Sequence, residues 1–342
     1  MKRIKTVLLG LGAVNIGLIK ILNAKRKNIS DSYHLELMII AVADSSGFAI
    51  KNTGFEYEEL IALKAAGHKV RDLDGYISNT PVDDIVARVD AELLVDGSPV
   101  NLKSGKPGLQ AIRDALEKSW SVVSANKAPL VLAYDELHAL ANQYGGGLAY
   151  SATVCGGLPV INVLQRDMRA TNLISLKGIF NATSNFILEE LEKGNSFDEA
   201  VKEAQRIGAA EADPSLDIDG YDTANKLYII LKSFCDFSGK VSDIFVEGVR
   251  GIDTECIERA SRQKKKIKLL ATAEKSNDEW HLAVKPVELD EDTFLGGCHG
   301  WEMGIEFQTD YYEEIAMKIR EKDPMATSAA VLRDIINIYY HL

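Results

Sequence analysis

Cysteine and histidine are both scarce in this sequence. Its 342 residues include four cysteines and six histidines. No two cysteines form a C-x-x-C pair, and the histidines do not cluster at metal-ligand spacing. The sequence therefore excludes a zinc ribbon, and isolated cysteines are typical of reduced thiols. We expect a cytoplasmic protein.

Positive charge is also in short supply, because 39 Lys and Arg residues face 50 Asp and Glu residues, for a formal net charge of −11. A chain this acidic lacks the electrostatic attraction that binding to a phosphate backbone requires. Long apolar runs are missing too, since no segment approaches the ~20 apolar residues of a membrane helix. We therefore expect no nucleic acid and no membrane as a partner, but a small-molecule substrate.

The length of the chain suits two domains, and 46% hydrophobic with 26% charged residues is typical of a globular enzyme. Short apolar runs alternate with helical patterns in the first part of the chain. This alternation predicts an α/β fold with a Rossmann-type, doubly wound parallel sheet. The predicted strands cover residues 7–9, 36–43, 93–95 and 122–124, and the predicted helices 13–23, 109–118 and 130–142.

The run Tyr-Gly-Gly-Gly at 144–147 predicts a domain boundary, because consecutive glycines interrupt regular structure. Beyond it the pattern predicts an α+β domain and, at 327–340, an amphipathic helix. We place the first domain at residues 1–145 and the second at 146–310. The predicted strands of the second domain cover 173–180 and 280–288, and its helices 185–193, 198–207 and 224–237.

A glycine pair, Gly10 and Gly12, directly follows the first predicted strand and opens the first helix. Gly10 permits a tight turn, Gly12 lets the backbone approach a pyrophosphate, and the helix N-terminus supplies free N–H groups. Asn15 replaces the usual third glycine, and the next glycine is Gly17. The loop predicts a site for NAD or NADP; the alternative is a strand-to-helix turn that merely tolerates glycine.

Asp44, at the end of the second predicted strand, is the candidate that binds the adenosine ribose. A carboxylate there accepts from both ribose hydroxyls and repels a 2′-phosphate, which favours NAD. Lys51 and Arg71 could instead accept that phosphate. The alternative is an Asp that forms the turn before Gly47.

Three later segments place polar groups in apolar surroundings. Lys127 follows a strand end, which in an open parallel sheet faces the ligand crevice, so it is either a functional cation or a surface charge. The glycine-rich turn at 154–159 could hold a substrate or an alkali cation, or is a plain interdomain turn. In the acidic run at 211–226, Asp222 and Lys226 share one helix face, either as a functional pair or as a solvated ion pair.

Taken together, these segments resemble the homoserine dehydrogenases over nearly the whole chain. The family's E-x-D-P-x-x-D-x-x-G-x-D-x-x-x-K run matches residues 211–226 at every spacing and is highly specific. Four other motifs match in order: the glycine loop at 10–14, T-A-N-K at 124–127, V-G-G-G-I-P at 154–159 and G-I-x-N-G-T-x-N-x-I-L at 178–188.

The resemblance implies an oxidoreductase that reversibly reduces L-aspartate 4-semialdehyde to L-homoserine with NAD(P)H, for threonine and methionine biosynthesis. Lys226 would donate the proton to the carbonyl oxygen, and Lys127 would share that role. Asp222 would orient the substrate and hold Lys226 charged. Glu211 would bind the substrate ammonium, and the backbone near Thr183 its polar atoms. The implied cofactor-binding residues are Gly10, Gly12, Ala13, Val14, Asp44, Ser98 and Lys127.

The sequence departs from the family pattern at three places. Asn15 replaces a glycine. Ser151 stands where the family has a glutamate whose main-chain carbonyl joins a sodium site. A carbonyl survives any substitution, so a sodium ion remains an expectation. The family's second glycine loop, G-x-G-A-G, is Ile-Arg-Glu-Lys-Asp here, at 319–323, which predicts an altered cofactor pocket. The candidate sodium ligands are the main-chain carbonyls of Ser151, Val154, Gly156 and Leu158.

The resemblance also implies a homodimer formed through the second domain, and a C-terminal segment of about 311–342 that completes the first. We see neither an ACT module nor an aspartate kinase domain, so we expect a short form that threonine does not inhibit. Two alternatives stay open: a cofactor-binding paralogue with little catalysis that acts as a sensor, and a reductase of another small amino-aldehyde or keto acid. The choice between NAD and NADP, and between the two lysines, also stays open.

Overall fold

The computed structural model describes residues 1–78 and 80–340 of the chain. They form two units: the first comprises Met1–Pro159 and resumes at Asp323, and the second is Val160–Lys322. The division thus falls later in the chain than the predicted bounds of 145 and 310. His341 and Leu342, the last residues of the predicted segment 311–342, lie outside the described residues.

The first unit contains a seven-stranded sheet in the order β4-β3-β2-β1-β5-β6-β7. Its central strands β2, β1, β5, β6 and β7 are parallel, and β3 and β4 continue the sheet antiparallel. The strands are β1 (Lys2–Leu9), β2 (Leu35–Asp44), β3 (Gly47–Ile50), β4 (Tyr76–Ile77), β5 (Leu93–Asp96), β6 (Ser121–Ser124) and β7 (Leu148–Ala149).

Apolar residues bury both faces of this sheet. Ile4 and Leu8 of β1 belong to one hydrophobic cluster, and Val7 and Leu9 to another. A parallel sheet needs such cover on both faces, because its crossover helices pack on each side. The predicted Rossmann-type, doubly wound sheet is therefore confirmed. The helices of this unit are α1 (Ala13–Tyr33), α2 (Tyr57–Ala65), α3 (Gly108–Glu117), α4 (Lys127–Tyr144) and, by chain order, α11 (Met325–Tyr339).

The second unit contains a six-stranded sheet in the order β13-β12-β8-β10-β11-β9. All neighbouring strands are antiparallel except β11 and β9. The strands are β8 (Leu173–Ile179), β9 (Phe245–Val246), β10 (Lys265–Ser276), β11 (Glu279–Asp290), β12 (Glu302–Thr309) and β13 (Ile315–Arg320).

Helices α6, α9 and α10 of the second unit pack on β10. Together with the sheet they form the predicted α+β arrangement. The helices are α5 (Val160–Asn162), α6 (Ala182–Glu192), α7 (Phe197–Arg206), α8 (Ser215–Ile218), α9 (Tyr221–Phe234) and α10 (Thr254–Arg262). Among the described residues, no helix combines the length and the apolar character needed to cross a membrane.

The segment before α11 differs from the prediction. We assigned residues from about 311 onward to the first domain, but Ile315–Arg320 pairs with Glu302–Phe307 as an edge strand of the second sheet. The cause is a run of alternating half-buried and exposed side chains, which suits a strand with one partly covered face. Only the part from Asp323 onward belongs to the first unit.

Candidate active site

A cleft of about 550 Å³ opens in the first unit where β1, β2 and β5 end. Four residues predicted to bind the cofactor, Gly10, Gly12, Asp44 and Ser98, line this cleft. In an open parallel sheet, the ligand crevice lies outside the carboxyl ends of the strands, at the point where the strand order reverses. The parallel pairs β1–β2 and β1–β5 place the cleft at that point.

The two loop glycines differ in what they permit. Gly10 has a φ of +86°, and a Cβ there would lie 2.5 Å from the carbonyl oxygen of Gly97, so only glycine fits. A Cβ on Gly12 would meet no atom within 4 Å. Gly12 precedes α1, whose N-terminus carries no side-chain cap. Its first N–H groups and its dipole therefore suit a phosphate group.

Asn15 and Gly17 explain how the loop tolerates the missing third glycine. The buried Asn15 side chain donates from Nδ2 to the carbonyl oxygens of Gly10 (2.7 Å) and Leu9 (3.3 Å). A Cβ on Gly17 would lie 2.2 Å from Ser328 Oγ of α11. Asn15 thus ties the turn to its helix, and Gly17 permits the close approach of α11.

Asp44 already bonds to its own chain. Its Oδ1 accepts from Ser46 N (2.8 Å) and Ser46 Oγ (2.5 Å), and its Oδ2 accepts from Val70 N (3.0 Å). Burial acts to raise the pKa of Asp44, but these hydrogen bonds and the nearby Lys64 outweigh it and lower the pKa. The turn-forming role is therefore present. A carboxylate oxygen has two lone pairs, so a ribose contact remains compatible with it.

The cations at this cleft are not those proposed from the sequence. Lys64, Lys69 and Lys106 line it, and Lys64 Nζ lies 3.8 Å from Asp44 Oδ2. Lys51 instead pairs with Glu59 at 3.0 Å, and neither it nor the exposed Arg71 lines the cleft. No sequence pattern distinguishes Lys64 from other surface lysines.

Asp96 is a further carboxylate, directly before the cleft-lining residues Gly97 and Ser98, and it had no predicted role. It ends β5, is fully buried, and accepts from Ser98 N (3.0 Å), Ser98 Oγ (2.6 Å) and Ser124 Oγ (3.3 Å). Burial raises its pKa to about 6, which the serine hydrogen bonds only partly offset. Asp96 ends an apolar strand, as Asp44 does, so the sequence pattern that identified Asp44 could also have identified Asp96.

Asn126 connects this network to Lys127. Its Oδ1 accepts from Ala128 N (3.0 Å) at the start of α4, and its Nδ2 donates to Ser98 Oγ (3.1 Å). Lys127 is the first residue of α4 and is partly buried. The predicted strand-end position of Lys127 is present, at the carboxyl end of β6.

In the second unit, Asp222 and Lys226 form a buried ion pair on α9. Lys226 Nζ lies 2.8 Å from Asp222 Oδ2, and the two side chains are only 14% and 5% exposed. Nζ also donates to the carbonyl oxygen of Phe180 at 2.6 Å. The alternative of a solvated surface pair therefore does not apply, because both side chains are largely buried.

Asn181 and Asp217 complete this cluster. Asn181 Nδ2 donates to Asp222 Oδ2 (2.8 Å) and to Asp217 Oδ1 (2.7 Å), while its Oδ1 accepts from Ser184 N (2.7 Å) at the start of α6. Both residues lie within the matched motifs at 178–188 and 211–226, but neither had a predicted role. The available signal was an asparagine between a strand and a helix, which is a preferred N-cap.

The two residues predicted to bind substrate lie on neighbouring parts of the same unit. Thr183 Oγ1 donates to the carbonyl oxygen of Ala209 at 2.7 Å, which brings the start of α6 to the loop that carries Glu211. The side chain of Glu211 is exposed. Its main-chain oxygen accepts from Gln205 Nε2 at 3.3 Å.

The predicted sodium ligands lie in a turn that already contacts a cation. Arg333 of α11 donates to the carbonyl oxygen of Gly157 (3.2 Å) and to Ser151 Oγ (2.9 Å). Asp334 accepts from Ser151 N (2.8 Å), and the Ser151 carbonyl accepts from Val154 N (3.2 Å). A guanidinium beside these carbonyls repels an alkali ion. The Asp334 carboxylate beside the same turn attracts one, so the sodium site stays a prediction.

The stretch that replaces the second glycine loop is part of the second sheet. Ile319 pairs with Met303 across β13 and β12, and Glu321 N donates to the carbonyl oxygen of Trp301 (3.1 Å). The charged residues at 319–323 thus lie on and just after an edge strand rather than in a glycine turn.

A parallel sheet with a glycine turn at a helix N-terminus is suited to a dinucleotide, and a buried lysine–carboxylate pair is suited to proton transfer. These features define the class of the protein as a two-domain oxidoreductase that uses a nicotinamide cofactor.

Comparison with known proteins specifies the family. The homoserine dehydrogenase family model matches residues 159–336. The chain is 32% identical to homoserine dehydrogenase of Methanocaldococcus jannaschii, over 97% of this chain and 98% of the relative. It is 28% identical to an NAD(+)-dependent homoserine dehydrogenase of Pseudomonas canavaninivorans, over 99% and 97%.

A solved structure agrees. A hyperthermophilic archaeal homoserine dehydrogenase in complex with NADPH superposes with a TM-score of 0.84 at 27% identity, covering 98% of each chain. The chain belongs to the homoserine dehydrogenase family and is an NAD(P)-dependent oxidoreductase of that kind.

Proposed function

We propose that this chain reversibly reduces L-aspartate 4-semialdehyde to L-homoserine, with Lys226 as the proton donor. The observation that carries this proposal is the arrangement of the Lys226 ammonium, held by Asp222 Oδ2 at 2.8 Å and by the Phe180 carbonyl oxygen at 2.6 Å. Two fixed acceptors orient the ammonium, and the carboxylate stabilises its charge. An oriented, charged ammonium is what an oxygen that gains negative charge requires.

Reduction of an aldehyde adds a hydride to the carbonyl carbon and leaves a negative charge on its oxygen. The hydride is what a reduced nicotinamide cofactor supplies when bound. Lys226 stabilises the growing charge and transfers a proton to the oxygen, and Asp222 holds Lys226 in place. Lys127, at the start of α4, is proposed to share the proton transfer.

The substrate carries an ammonium group, and we propose that Glu211 binds it. The Glu211 side chain is exposed, so its carboxylate is accessible to a ligand. The backbone around Thr183 supplies further polar contacts, and the bond from Thr183 to Ala209 O fixes that backbone beside the Glu211 loop.

The cofactor is proposed to lie in the cleft of the first unit, with its pyrophosphate at Gly12 and the N–H groups of Ala13 and Val14. An adenosine ribose would bond to Asp44. Because Lys64 lies 3.8 Å from Asp44, the cleft offers a positive charge to a 2′-phosphate as well. We therefore propose that the chain accepts both NADH and NADPH, with Ser98 beside the nicotinamide.

Three further expectations stay predictions. A homodimer formed through the second unit is tested by light scattering during gel filtration, and a cytoplasmic location by cell fractionation. A sodium ion at the 151–158 turn is tested by the melting temperature in sodium against choline chloride. We expect a higher melting temperature in sodium chloride, and equal values in the two salts would contradict the sodium site.

The function is tested by the absorbance loss of NADH and NADPH with L-aspartate 4-semialdehyde, alongside other small amino-aldehydes and keto acids. We expect the highest kcat/KM with aspartate semialdehyde. The Lys202→Ala variant, which removes an exposed lysine of α7, is the control and should match the wild type.

Other outcomes would replace this proposal. Turnover only with a different carbonyl compound would indicate a reductase of another substrate. Tight cofactor binding without turnover of any carbonyl would indicate a sensor. Binding is measured by the fluorescence of the reduced nicotinamide, independently of turnover.

A further inference from the structure

Asn181 occupies the junction between β8 and α6, and its orientation is defined by its partners. Its side chain is buried, and its Oδ1 accepts from Ser184 N at 2.7 Å. Only the carbonyl oxygen of the amide can accept from an N–H group, so the Nδ2 end must face the opposite way.

That Nδ2 end faces two carboxylates from different helices. It donates to Asp217 Oδ1 of α8 at 2.7 Å and to Asp222 Oδ2 of α9 at 2.8 Å. Two carboxylates that share a site repel each other, and neither can donate a hydrogen bond when ionised. A neutral amide with two N–H groups satisfies both at once.

The same junction also holds the lysine. Lys226 Nζ donates to the carbonyl oxygen of Phe180, the residue before Asn181, at 2.6 Å. Asp222 Oδ2 therefore lies 2.8 Å from two donors, Asn181 Nδ2 and Lys226 Nζ. Consecutive residues of one strand end thus fix both members of the ion pair, one through a carbonyl group and the other through an amide.

We propose that Asn181 is a positioning residue of the reduction, whose side-chain amide holds the Asp222 carboxylate where it directs Lys226 toward the substrate oxygen. This inference rests on the proposed function. Asn181 itself touches neither substrate nor cofactor in this account; it acts through Asp222.

The charge of residue 181 is the property that separates positioning from simple helix capping. Asp caps a helix as well as Asn does, so Asn181→Asp keeps the bond to Ser184 N. It also replaces two N–H groups by a third carboxylate facing Asp217 of α8 and Asp222 and Lys226 of α9. While the three carboxylates of the variant share one proton, that proton can form a hydrogen bond between residue 181 and Asp222. When that proton is lost, like charges displace Asp222.

The test measures kcat of Asn181→Asp relative to the wild type across the pH range in which the wild type is active. We expect this ratio to fall about tenfold or more as the pH rises, because three ionised carboxylates repel one another. Asn181→Ser, a neutral cap without the two N–H groups, should lower kcat by a factor that does not depend on pH. The dissociation constant of the cofactor should not change in either variant.

Ser196→Asp is the matched control. Ser196 caps α7 four residues after α6 ends at Glu192, so this substitution adds a capping carboxylate away from Asn181. Its ratio to the wild type should stay near one at every pH. A flat ratio for Asn181→Asp in a wild type that turns over would overturn this inference alone. A wild type without turnover of aspartate semialdehyde would overturn the proposed function and this inference together.

Discussion

Asn126 in the first unit and Asn181 in the second are built in the same way. Each follows a strand and caps the next helix, with Oδ1 accepting from Ala128 N in α4 and from Ser184 N in α6. Each turns its Nδ2 toward a buried polar cluster at the strand end. The two clusters differ in their charges, and that difference separates their chemistry.

The cluster of the first unit surrounds the Asp96 carboxylate with neutral donors from Ser98, Ser124 and Asn126. Its charged form is penalised by burial, so its pKa is raised. The cluster of the second unit gives Asp222 the ammonium of Lys226. A buried carboxylate with neutral partners suits a rigid cofactor cleft, whereas one paired with an ammonium holds a transferable proton in position.

Among the substitutions that compare the two units, the largest effect is expected from removing the negative charge of the second cluster. Asp222→Asn leaves Lys226 buried without its counter-charge, which costs about 3 kcal/mol of unfolding free energy and lowers kcat about 100-fold. Urea unfolding and steady-state kinetics measure these changes. Asp198→Asn is the control, because Asp198 is the second residue of α7, as Asp222 is of α9, but is exposed. Equal effects of both substitutions would contradict the account.

Asp96→Asn tests the first cluster through its pH dependence. Asp96 has a pKa of about 6 in the folded protein, so between its unfolded pKa and about 6 the native state binds the proton more tightly. The protonated Asp96 therefore stabilises the folded state at low pH, and the free energy of unfolding falls by roughly 3 kcal/mol as the pH rises through this range.

We therefore expect the unfolding free energy of Asp96→Asn, relative to the wild type, to increase from acidic to neutral pH. Urea titrations at several pH values measure it. Asp74→Asn, at an exposed position of the same unit, serves as the comparison. A difference that does not vary with pH would show that Asp96 ionises normally.

The two loop glycines should respond differently to alanine. Gly10→Ala places a Cβ against the Gly97 carbonyl at a positive φ and should cost about 2 kcal/mol of stability. Gly12→Ala meets open space, so the melting temperature should stay the same while the added methyl group weakens cofactor binding. Thermal melts and cofactor titrations separate the two effects. Loss of stability in Gly12→Ala would contradict the open position.

The smallest expected effect concerns the choice of cofactor. Lys64→Met removes a positive charge from the cleft beside Asp44 and should raise the dissociation constant of NADPH about fivefold, at about 1 kcal/mol, with little change for NADH. Lys51→Met is the control, because Lys51 pairs with Glu59 and does not line the cleft. If Lys51→Met raised the dissociation constant of NADPH and Lys64→Met did not, the phosphate-binding role that the sequence suggested for Lys51 would be supported instead.

Local spacing explains which parts of the site were predictable. Gly10 and Gly12 lie within three residues of the end of β1, and Asp44 ends β2. Asp222 and Lys226 are about one helical turn apart, so each pattern lies within a short segment. The contact of Asn181 with Asp222 joins residues 41 positions apart, and no local pattern encodes it. Strand β10 was not predicted because its sequence is rich in charged residues. One of them, Lys268, is only 2% exposed, and its Nζ donates to Asn185 Oδ1 and to the Cys298 carbonyl oxygen.

The central claim, that Lys226 of the second unit transfers the proton, is tested most directly by Lys226→Ala. The measurement is kcat for the reduction of L-aspartate 4-semialdehyde, with the cofactor dissociation constant determined on the same samples. We expect kcat to fall about 10²–10⁴-fold while cofactor binding stays at the wild-type value. A kcat close to that of the wild type would contradict the account and leave Lys127 as the proton donor.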